Sequence, residues 1–246
     1  MRLTIDLSRS RVETKYGLTA EDIPALTDRI PCAEREEYRV LTLYFDRPDG
    51  SLARRALEHP LRCTKVRTRQ YPEDPSIWFE VKTRRGCWTR KSRLQLSRSE
   101  AAALLRGLTP AEMDAFGPLH GSDDDEAEAR CHLRELAEGG LLPVGAVHAF
   151  RRTFLVRADQ VRITLDQGIS YYRPCEDPTS LDGATAPGLL LQTESSLVLE
   201  VKYAGALPDW GRELVSGLRR SSYSKFRNLV LSLAEARRAA NRVDRL

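Results

Sequence analysis

Three successive strand-like segments place their charged side chains on one side of a sheet: residues 61–71, 77–82 and 87–96. Side chains alternate between the two faces of a β-strand, so residues two apart share a face. The polar face that results carries Glu80 as its single carboxylate. Its seven cations are Lys65, Arg67, Arg69, Lys82, Lys91, Arg93 and, at a turn, Arg84.

Two interpretations of this face compete. An antiparallel sheet commonly exposes one polar face to water, which requires no ligand. A solvated face, however, normally mixes charge signs across neighbouring strands, because like charges opposite one another destabilise the pairing. Arg and Lys are the natural donors to phosphate oxygens. The crowding of cations therefore favours a site for a multiply charged anion, most simply a chain of phosphates.

The charge distribution of the whole chain limits the classes of partner. Its 246 residues include 39 basic and 35 acidic ones, so the formal net charge is only +4. Acids gather in residues 123–128, whereas bases follow the predicted strands. This balance argues against coating of nucleic acid and for a local anion site. RNA binding is also disfavoured because the polar strand faces carry few aromatic residues for base stacking.

Cysteine usage and hydropathy predict a cytoplasmic protein without direct membrane insertion. The five cysteines are an odd number and form no C-x-x-C pair, so neither a disulfide framework nor a zinc site is predicted. Charged residues Arg2, Asp6 and Arg9 interrupt the apolar run that a signal peptide needs. No stretch approaches the roughly 20 apolar residues that span a bilayer.

The remaining chain predicts further one-sided strands and covering helices. Strands are expected at residues 11–16, 38–45, 149–156, 160–166 and 197–203. Helices are expected at residues 19–29, 101–106, from 109, 122–138, 208–217 and 222–241. Residues 51–59 fit a helical turn or an irregular edge, and residues 174–188 fit a loop. We predict one α+β domain over residues 1–246, a closed antiparallel eight-stranded β tunnel with helices packed on the outside.

In such a tunnel the charged residues point inward, and the cations exceed the carboxylates. The ten cations are Lys15, Lys65, Arg67, Arg69, Lys82, Lys91, Arg93, Arg152, Arg162 and Lys202. The four carboxylates are Glu13, Glu80, Asp166 and Glu200. Two like charges about 4 Å apart repel by roughly 4 kcal/mol even at an effective dielectric near 20. The lumen is therefore expected to hold phosphates, water and counterions.

The four carboxylates fit two roles, ion-pair partners or metal ligands. Glu80 and Glu200 each stand two residues before a lysine in matching E-x-K strands. Mg²⁺ and Mn²⁺ are hard cations that bridge protein carboxylates and phosphate oxygens. We predict Glu200 as the first metal ligand, with Glu80 and Glu13 supporting it, and leave the role of Asp166 open.

Eight short motifs, in order, resemble the VTC domain, which is the polyphosphate polymerase domain of the CYTH or triphosphate tunnel metalloenzyme superfamily. They are E-T-K-Y (13–16), Y-F-D (44–46), K-V-R-T-R (65–69), F-E-V-K (79–82), K-S-R (91–93), R-I-T-L-D (162–166), L-E-V-K (199–202) and S-K-F (224–226). The resemblance runs from about residue 10 to about residue 230.

The resemblance implies a tunnel that binds ATP and polyphosphate and acts with Mn²⁺ or Mg²⁺. In polymerase members the terminal phosphate of ATP passes to a growing polyphosphate chain. Residues predicted to act on the transferred phosphate are Arg67, Arg69, Lys82, Arg152 and Arg162. Residues predicted to bind other phosphates are Lys15, Lys65, Lys91, Arg93, Lys202, Ser224 and Lys225. The predicted metal ligands are Glu200, Glu80 and Glu13.

Departures from the family pattern bear on the reaction. Hydrolytic relatives typically open with E-x-E-x-K, and Arg11 stands where the first Glu would be, which favours a polymerase over a triphosphatase. Phe150 stands where relatives often carry Tyr. Fungal members work beside SPX and membrane domains, so delivery of product across a membrane would need a separate membrane partner. Besides polymerase and triphosphatase, a non-catalytic module that binds polyphosphate or nucleotides stays open.

Overall fold

The computed structural model describes residues 11–31, 33–71, 74–86, 88–121, 123–174 and 188–243. The strands in this part of the chain are β1 (Arg11–Leu18), β2 (Glu34–Asp46), β3 (Arg62–Gln70), β4 (Ile77–Arg85), β5 (Trp88–Leu96), β6 (Leu142–Val156), β7 (Val161–Tyr172), β8 (Leu190–Thr193) and β9 (Leu197–Ala204). The helices are α1 (Asp22–Asp28), α2 (Ser51–Glu58), α3 (Arg98–Arg106), α4 (Pro110–Ala115), α5 (Ala127–Ala137), α6 (Asp209–Leu214) and α7 (Lys225–Val243), with a 3₁₀ turn at Gly117–Leu119.

The strands form one large sheet in the order β1-β9-β7-β6-β2-β3-β4-β5, and β8 pairs with β7 outside this path. The ladders β1–β9, β7–β9, β2–β3, β3–β4 and β4–β5 are antiparallel. The predicted α+β class is therefore confirmed. The predicted closure is not, because the path ends at β1 and β5 and no ladder joins these two strands within the described residues. Side-chain alternation identifies strands but carries no information on whether two edge strands meet.

Tertiary contacts group the chain into two compact units. The first unit is built from residues 11–39, 149–169 and 193–224, and the second from residues 40–148, 170–192 and 225–243. Long strands such as β2 and β6 contribute residues to both units. The single domain expected from the sequence stays a prediction, and each unit is described by itself.

The core of the second unit covers one face of β3, β4 and β5. Phe79 and Val81 of β4 are fully buried with Val66 of β3 and Leu94 of β5. Burying such a side chain stabilises a fold by about 1.5–3 kcal/mol. Helix α5 packs against β4 and β5 on this apolar side. The intervening charged residues, Glu80 among them, therefore take the other face, as the alternation predicts.

The first unit repeats this division. Its core gathers Tyr16 of β1, Ile163 of β7, and Leu199 and Val201 of β9, all buried. The register pairs Tyr16 with Leu199 and Ile163 with Val201, so these side chains meet across neighbouring strands. Each charged residue between them lies on the opposite face.

Several element boundaries differ from the sequence prediction. Residues 51–59, which fitted two interpretations, contain helix α2, and residues 190–193 form the unpredicted strand β8. Helix α5 begins at Ala127 instead of residue 122, and Ser122 lies outside the described residues. The capping boxes expected at Ser97 and Thr109 are both present. Most of the predicted loop 174–188 lies outside the described residues, as do Cys32, Cys87 and Cys175.

Cys63 and Cys131 are free thiols. A membrane-spanning helix would have to be longer and more apolar than any helix found in the part of the chain that the structure describes.

Asp46, which ends β2, anchors the start of helix α2. Its carboxylate is buried and accepts hydrogen bonds from the backbone amides of Arg47 (2.8 Å), Leu52 (2.9 Å) and Ala53 (3.0 Å). Gly50 has a positive φ of 68°, which lets the chain turn from the strand into the helix. The Y-F-D motif therefore ends in a structural residue.

We expect Asp46→Ala to lower the free energy of unfolding by about 2 kcal/mol or more, because three amide donors lose a charged acceptor. Chemical denaturation of the two proteins measures the difference. The control is Asp114→Ala on the exposed side of α4, which should change stability by less than about 0.5 kcal/mol. Equal effects of the two substitutions would contradict this role for Asp46.

Candidate functional site

A buried carboxylate, Glu80, lies at the centre of the polar face of β3–β5. The residue is 2% exposed. Its Oε2 accepts from Nε and Nη2 of Arg67 at 3.0 and 2.7 Å, and Nε of Arg69 lies 3.9 Å away. Its Oε1 lies 2.5 Å from Nζ of Lys91. One carboxylate thus holds three cations that come from two neighbouring strands.

Strand register explains why these side chains meet. The polar face is organised in rows of directly opposed residues, one residue from each of β3, β4 and β5. The three rows are Lys65–Lys82–Lys91, Arg67–Glu80–Arg93 and Arg69–Trp78–Gln95. Six cations therefore share this small area with one carboxylate, and all six were predicted from the alternation.

Burial and charge set the protonation of this cluster. Burial alone would raise the pKa of Glu80, but Arg69, Arg67 and Lys91 hold it well below its usual value, so the carboxylate is ionised. Burial also opposes the charge on Arg67, yet Glu80 keeps its pKa raised. For Lys91, burial lowers the pKa to about 7 despite the attraction of Glu80, and Arg69 and Arg67 add to the decrease. Lys91 therefore changes charge near neutral pH.

Two further features concern the arginines of this face. Nε of Arg69 is buried and has no hydrogen-bond acceptor within the described part of the chain. A buried donor without an acceptor is costly, and a phosphate oxygen would satisfy it. Arg67 also donates from Nη1 to the hydroxyl of Tyr44 at 3.4 Å, and Tyr44 stacks on Phe226 with ring centroids 5.0 Å apart. Tyr44 thus fixes the guanidinium from the side opposite Glu80.

On β1 and β9 the polar face of the first unit has a different composition, two carboxylates with two lysines. Nζ of Lys15 lies 3.8 Å from Glu13 and 3.5 Å from Glu200. Lys202 forms ion pairs with the same two carboxylates. The register places Lys15 opposite Glu200 and Glu13 opposite Lys202 across β1 and β9, which explains the alternating charges. Arg162 of β7 lies opposite Lys202 in the next ladder.

The predicted residues Ser224 and Lys225 end a segment that runs beside β1. Ser221 donates its amide to the carbonyl of Lys15 at 2.8 Å, and Nζ of Lys15 donates to the carbonyl of Tyr223 at 3.3 Å. Ser224 directly follows Tyr223 in the chain, so its backbone lies near Lys15 in space. Lys225 is the first residue of α7 and belongs to the second unit.

The pair of arginines in β6 does not lie as the sequence predicted. Arg152 shares a strand face with Phe154, a residue of the apolar core, and pairs with Glu37 at 3.0 Å. Arg151 takes the polar face instead and makes two hydrogen bonds to Asp166, at 2.6 and 2.8 Å. Burial opposes the charge on Arg151, but Asp166 raises its pKa well above the usual value.

Sequence reasoning therefore missed Arg151 and Tyr44 as members of the polar faces, whereas the alternation correctly placed Trp78 on the same face as Glu80. Two adjacent arginines leave the phase of a strand ambiguous, and the prediction placed Phe150 and Arg152 on the polar face together. Asp166 of β7 is buried and pairs with Arg151, which fixes the face that Arg151 takes. Tyr44 also had the correct alternation, but aromatic residues are usually assigned to a core.

The carboxylates differ in how well they suit Mg²⁺ or Mn²⁺. Glu80 is tightly held, because Oε2 accepts two hydrogen bonds from Arg67 and Oε1 lies 2.5 Å from Nζ of Lys91, whereas three of the four lysine contacts of Glu13 and Glu200 span 3.5–3.9 Å. Glu13 and Glu200 approach the same two lysines, so their carboxylates lie close together. One or two carboxylates with substrate phosphates are the usual donor set of Mg²⁺. Glu13 and Glu200 fit a metal, whereas Glu80 fits the role of a cation anchor.

Comparison with known proteins decides the family. The model of the VTC domain matches residues 6–234. The chain belongs to the VTC domain family. This agrees with the family that the eight motifs resemble. The comparison with curated protein sequences found no match.

Solved structures resemble this VTC domain in fold. The protein HpAC1 from Hippeastrum, described as an adenylyl cyclase candidate with a dominant triphosphatase activity, has a TM-score of 0.56 at 15% identity over 89% of this chain and 95% of its own. An adenylate cyclase candidate from Bacillus halodurans has a TM-score of 0.48 at 15% identity over 79% and 81% of the two chains. PH1819 from Pyrococcus horikoshii has a TM-score of 0.47 at 13% identity over 90% and 98%.

The lowered pKa of Lys91 predicts a pH-dependent affinity for phosphate chains. The ammonium is charged below about pH 7 and neutral above it. Losing one charged contact weakens binding by about tenfold. We therefore expect tripolyphosphate affinity to fall as the pH rises through 7. In Lys91→Arg the guanidinium stays charged over this range, so the decrease in affinity should be smaller.

Calorimetric titrations of both proteins at about pH 6 and about pH 8 measure this difference. Protonation of tripolyphosphate also changes between these pH values, but its effect on affinity is the same for both proteins and cancels in the comparison. An identical pH dependence in the two proteins would contradict the assignment to Lys91.

Proposed function

We propose that this VTC domain transfers phosphoryl groups on triphosphate and polyphosphate, and that it makes polyphosphate from ATP with Mn²⁺ or Mg²⁺. The observation that supports the proposal most directly is the Glu80 cluster, in which six cations and one carboxylate share one face. Such an excess of positive charge is stable in the presence of a polyanion. ATP and polyphosphate are the proposed partners, and a cytoplasmic location stays a prediction.

Phosphoryl transfer requires alignment and neutralisation of charge more than it requires a nucleophilic side chain. Arg67 is fixed by Glu80 and Tyr44, so its remaining hydrogen-bonding capacity is directed before a ligand arrives. Arg69 adds a buried donor, and Lys82 and Lys91 add two ammonium groups in the neighbouring row. Donors held in place in this way stabilise charge on the transferred phosphate without reorganisation.

In the first unit we propose that Glu200 and Glu13 hold the metal ion, with Lys15, Lys202 and Arg162 on phosphate oxygens. A bound Mg²⁺ or Mn²⁺ supplies Lewis-acid neutralisation of phosphate charge. The two lysines lie within ion-pair distance of both carboxylates and so orient them before the ion arrives. The buried ion pair of Arg151 and Asp166 lies on the polar face of this unit and supports its side chains.

A triphosphatase is the second candidate function. The Hippeastrum protein, which shares the fold, is described with a dominant triphosphatase activity. In that reaction water replaces the polyphosphate chain as acceptor, while the same cations act on the transferred phosphate. The candidates differ in their products, because a polymerase lengthens chains and a triphosphatase releases free phosphate.

Incubation of the purified protein with ATP and Mn²⁺ or Mg²⁺, following chain length and free phosphate, tests the proposal. We expect growing chains with little free phosphate. Free phosphate without chains would replace the polymerase with the triphosphatase. Binding of ATP or polyphosphate without turnover would leave a binding module.

Substitution of Arg67 tests whether the Glu80 cluster carries the activity. We expect Arg67→Ala to lower the rate of polyphosphate formation by at least about 100-fold, because one fixed donor to the transferred phosphate is lost. The matched control is Arg106→Ala at the exposed end of α3, which should leave the rate unchanged. Retained activity in a folded Arg67→Ala protein would refute the assignment.

Glu200→Gln tests the proposed metal site. The amide lacks the charge that Mg²⁺ and Mn²⁺ require, so we expect Mn²⁺ affinity in the presence of tripolyphosphate to fall about tenfold or more. Electron paramagnetic resonance of free Mn²⁺ measures this affinity directly. Glu37→Gln, a carboxylate of the same unit that pairs with Arg152, is the control. Equal Mn²⁺ affinities in the Glu200 variant and the unaltered protein would exclude Glu200 as a ligand.

A further inference from the structure

Trp78 is an aromatic residue on the polar face of β3–β5, beside the Glu80 cluster. Its neighbours in the chain, Ile77 and Phe79, are fully buried in the core, so alternation turns the indole to the charged side. Trp78 is half-buried there, and the guanidinium carbon of Arg93 lies 4.6 Å from the ring centroid. The phosphate-binding role proposed for this face leaves Trp78 without a function.

The contact with Arg93 shows that one face of the indole accepts a planar group. Arg93 is exposed, and a cation–π contact at an exposed site is weak. Nucleobases stack on Trp in the same manner, and they also bury apolar area that a guanidinium does not. A base can therefore take the place of the guanidinium, which then becomes available to phosphate oxygens.

The position of Trp78 suits the base of a nucleotide whose phosphates lie on the cluster. Trp78 precedes Glu80 by two residues in β4, a separation of about 7 Å along a strand. Arg69, whose Nε is buried without an acceptor in the described residues, lies directly opposite Trp78. A hydrogen-bond donor suited to phosphate and an aromatic stacking surface are thus immediate neighbours.

We propose that Trp78 is the stacking platform for the base of a nucleoside triphosphate, and that it distinguishes such substrates from inorganic phosphate chains. The proposal rests on the proposed function of the cluster, because it takes the phosphates to be bound there. Inorganic tripolyphosphate has no planar group, so it uses the cations alone. Trp78 is in this sense a specificity residue for the nucleotide.

Binding of two ligands to two variants tests the proposal without any requirement for turnover. We expect Trp78→Ala to weaken ATP binding about tenfold, since stacking is lost, and to leave tripolyphosphate binding within about twofold. Trp78→Phe, which keeps a smaller aromatic surface, should recover part of the ATP affinity. Trp88→Ala at the end of β5, where the side chain is 73% exposed, is the matched control and should change neither affinity.

The outcomes separate this proposal from the function of the cluster. Unchanged ATP affinity in Trp78→Ala would overturn the platform while leaving the phosphate site intact. Equal loss of ATP and tripolyphosphate would also overturn it, since Trp78 would then support only the structure of the cluster. Failure of the unaltered protein to bind either ligand would refute the proposed function and the platform with it.

Discussion

The ionised carboxylate of Glu80 is the interaction on which the polar face of the second unit depends. A charge buried alone costs several kcal/mol, and here Arg67, Arg69 and Lys91 compensate it. The dependence is mutual, because the cations repel one another and the carboxylate attracts all three of them. Tyr44 restrains Arg67 from a second direction. The cluster therefore combines several mutual contacts with an excess of cations, which suits the polyanion that we propose as its ligand.

The two units use the same strand alternation to make different surfaces. In the second unit Glu80 contacts three of the six cations on its face, so cations outnumber carboxylates in these rows. In the first unit the two negative charges of Glu13 and Glu200 match the two positive charges of Lys15 and Lys202. A surplus of cations suits transfer of a phosphate, whereas paired carboxylates suit a divalent ion. The composition of each face thus supports the division of roles that we propose.

Much of this arrangement followed from the sequence because period-two alternation is a local property. Alternation assigns Phe79 and Val81 to one face of β4, and Glu80 and Lys82 to the other. In the structure Phe79 and Val81 lie in the core, as expected. Long-range facts were less accessible. Whether β1 meets β5 depends on contacts that no local pattern encodes. The phase of the Arg151–Arg152 pair was also undetermined, since either arginine could face Asp166 until the packing of Phe154 fixed it.

The central claim is that the cations around Glu80 are arranged for a chain of phosphates. Thermal unfolding with and without tripolyphosphate tests this claim most directly, since a ligand that binds only the folded state raises the midpoint with its concentration. We predict a rise in the midpoint that exceeds the effect of sodium chloride at the same ionic strength. An unchanged midpoint, or a rise that sodium chloride reproduces, would contradict the account.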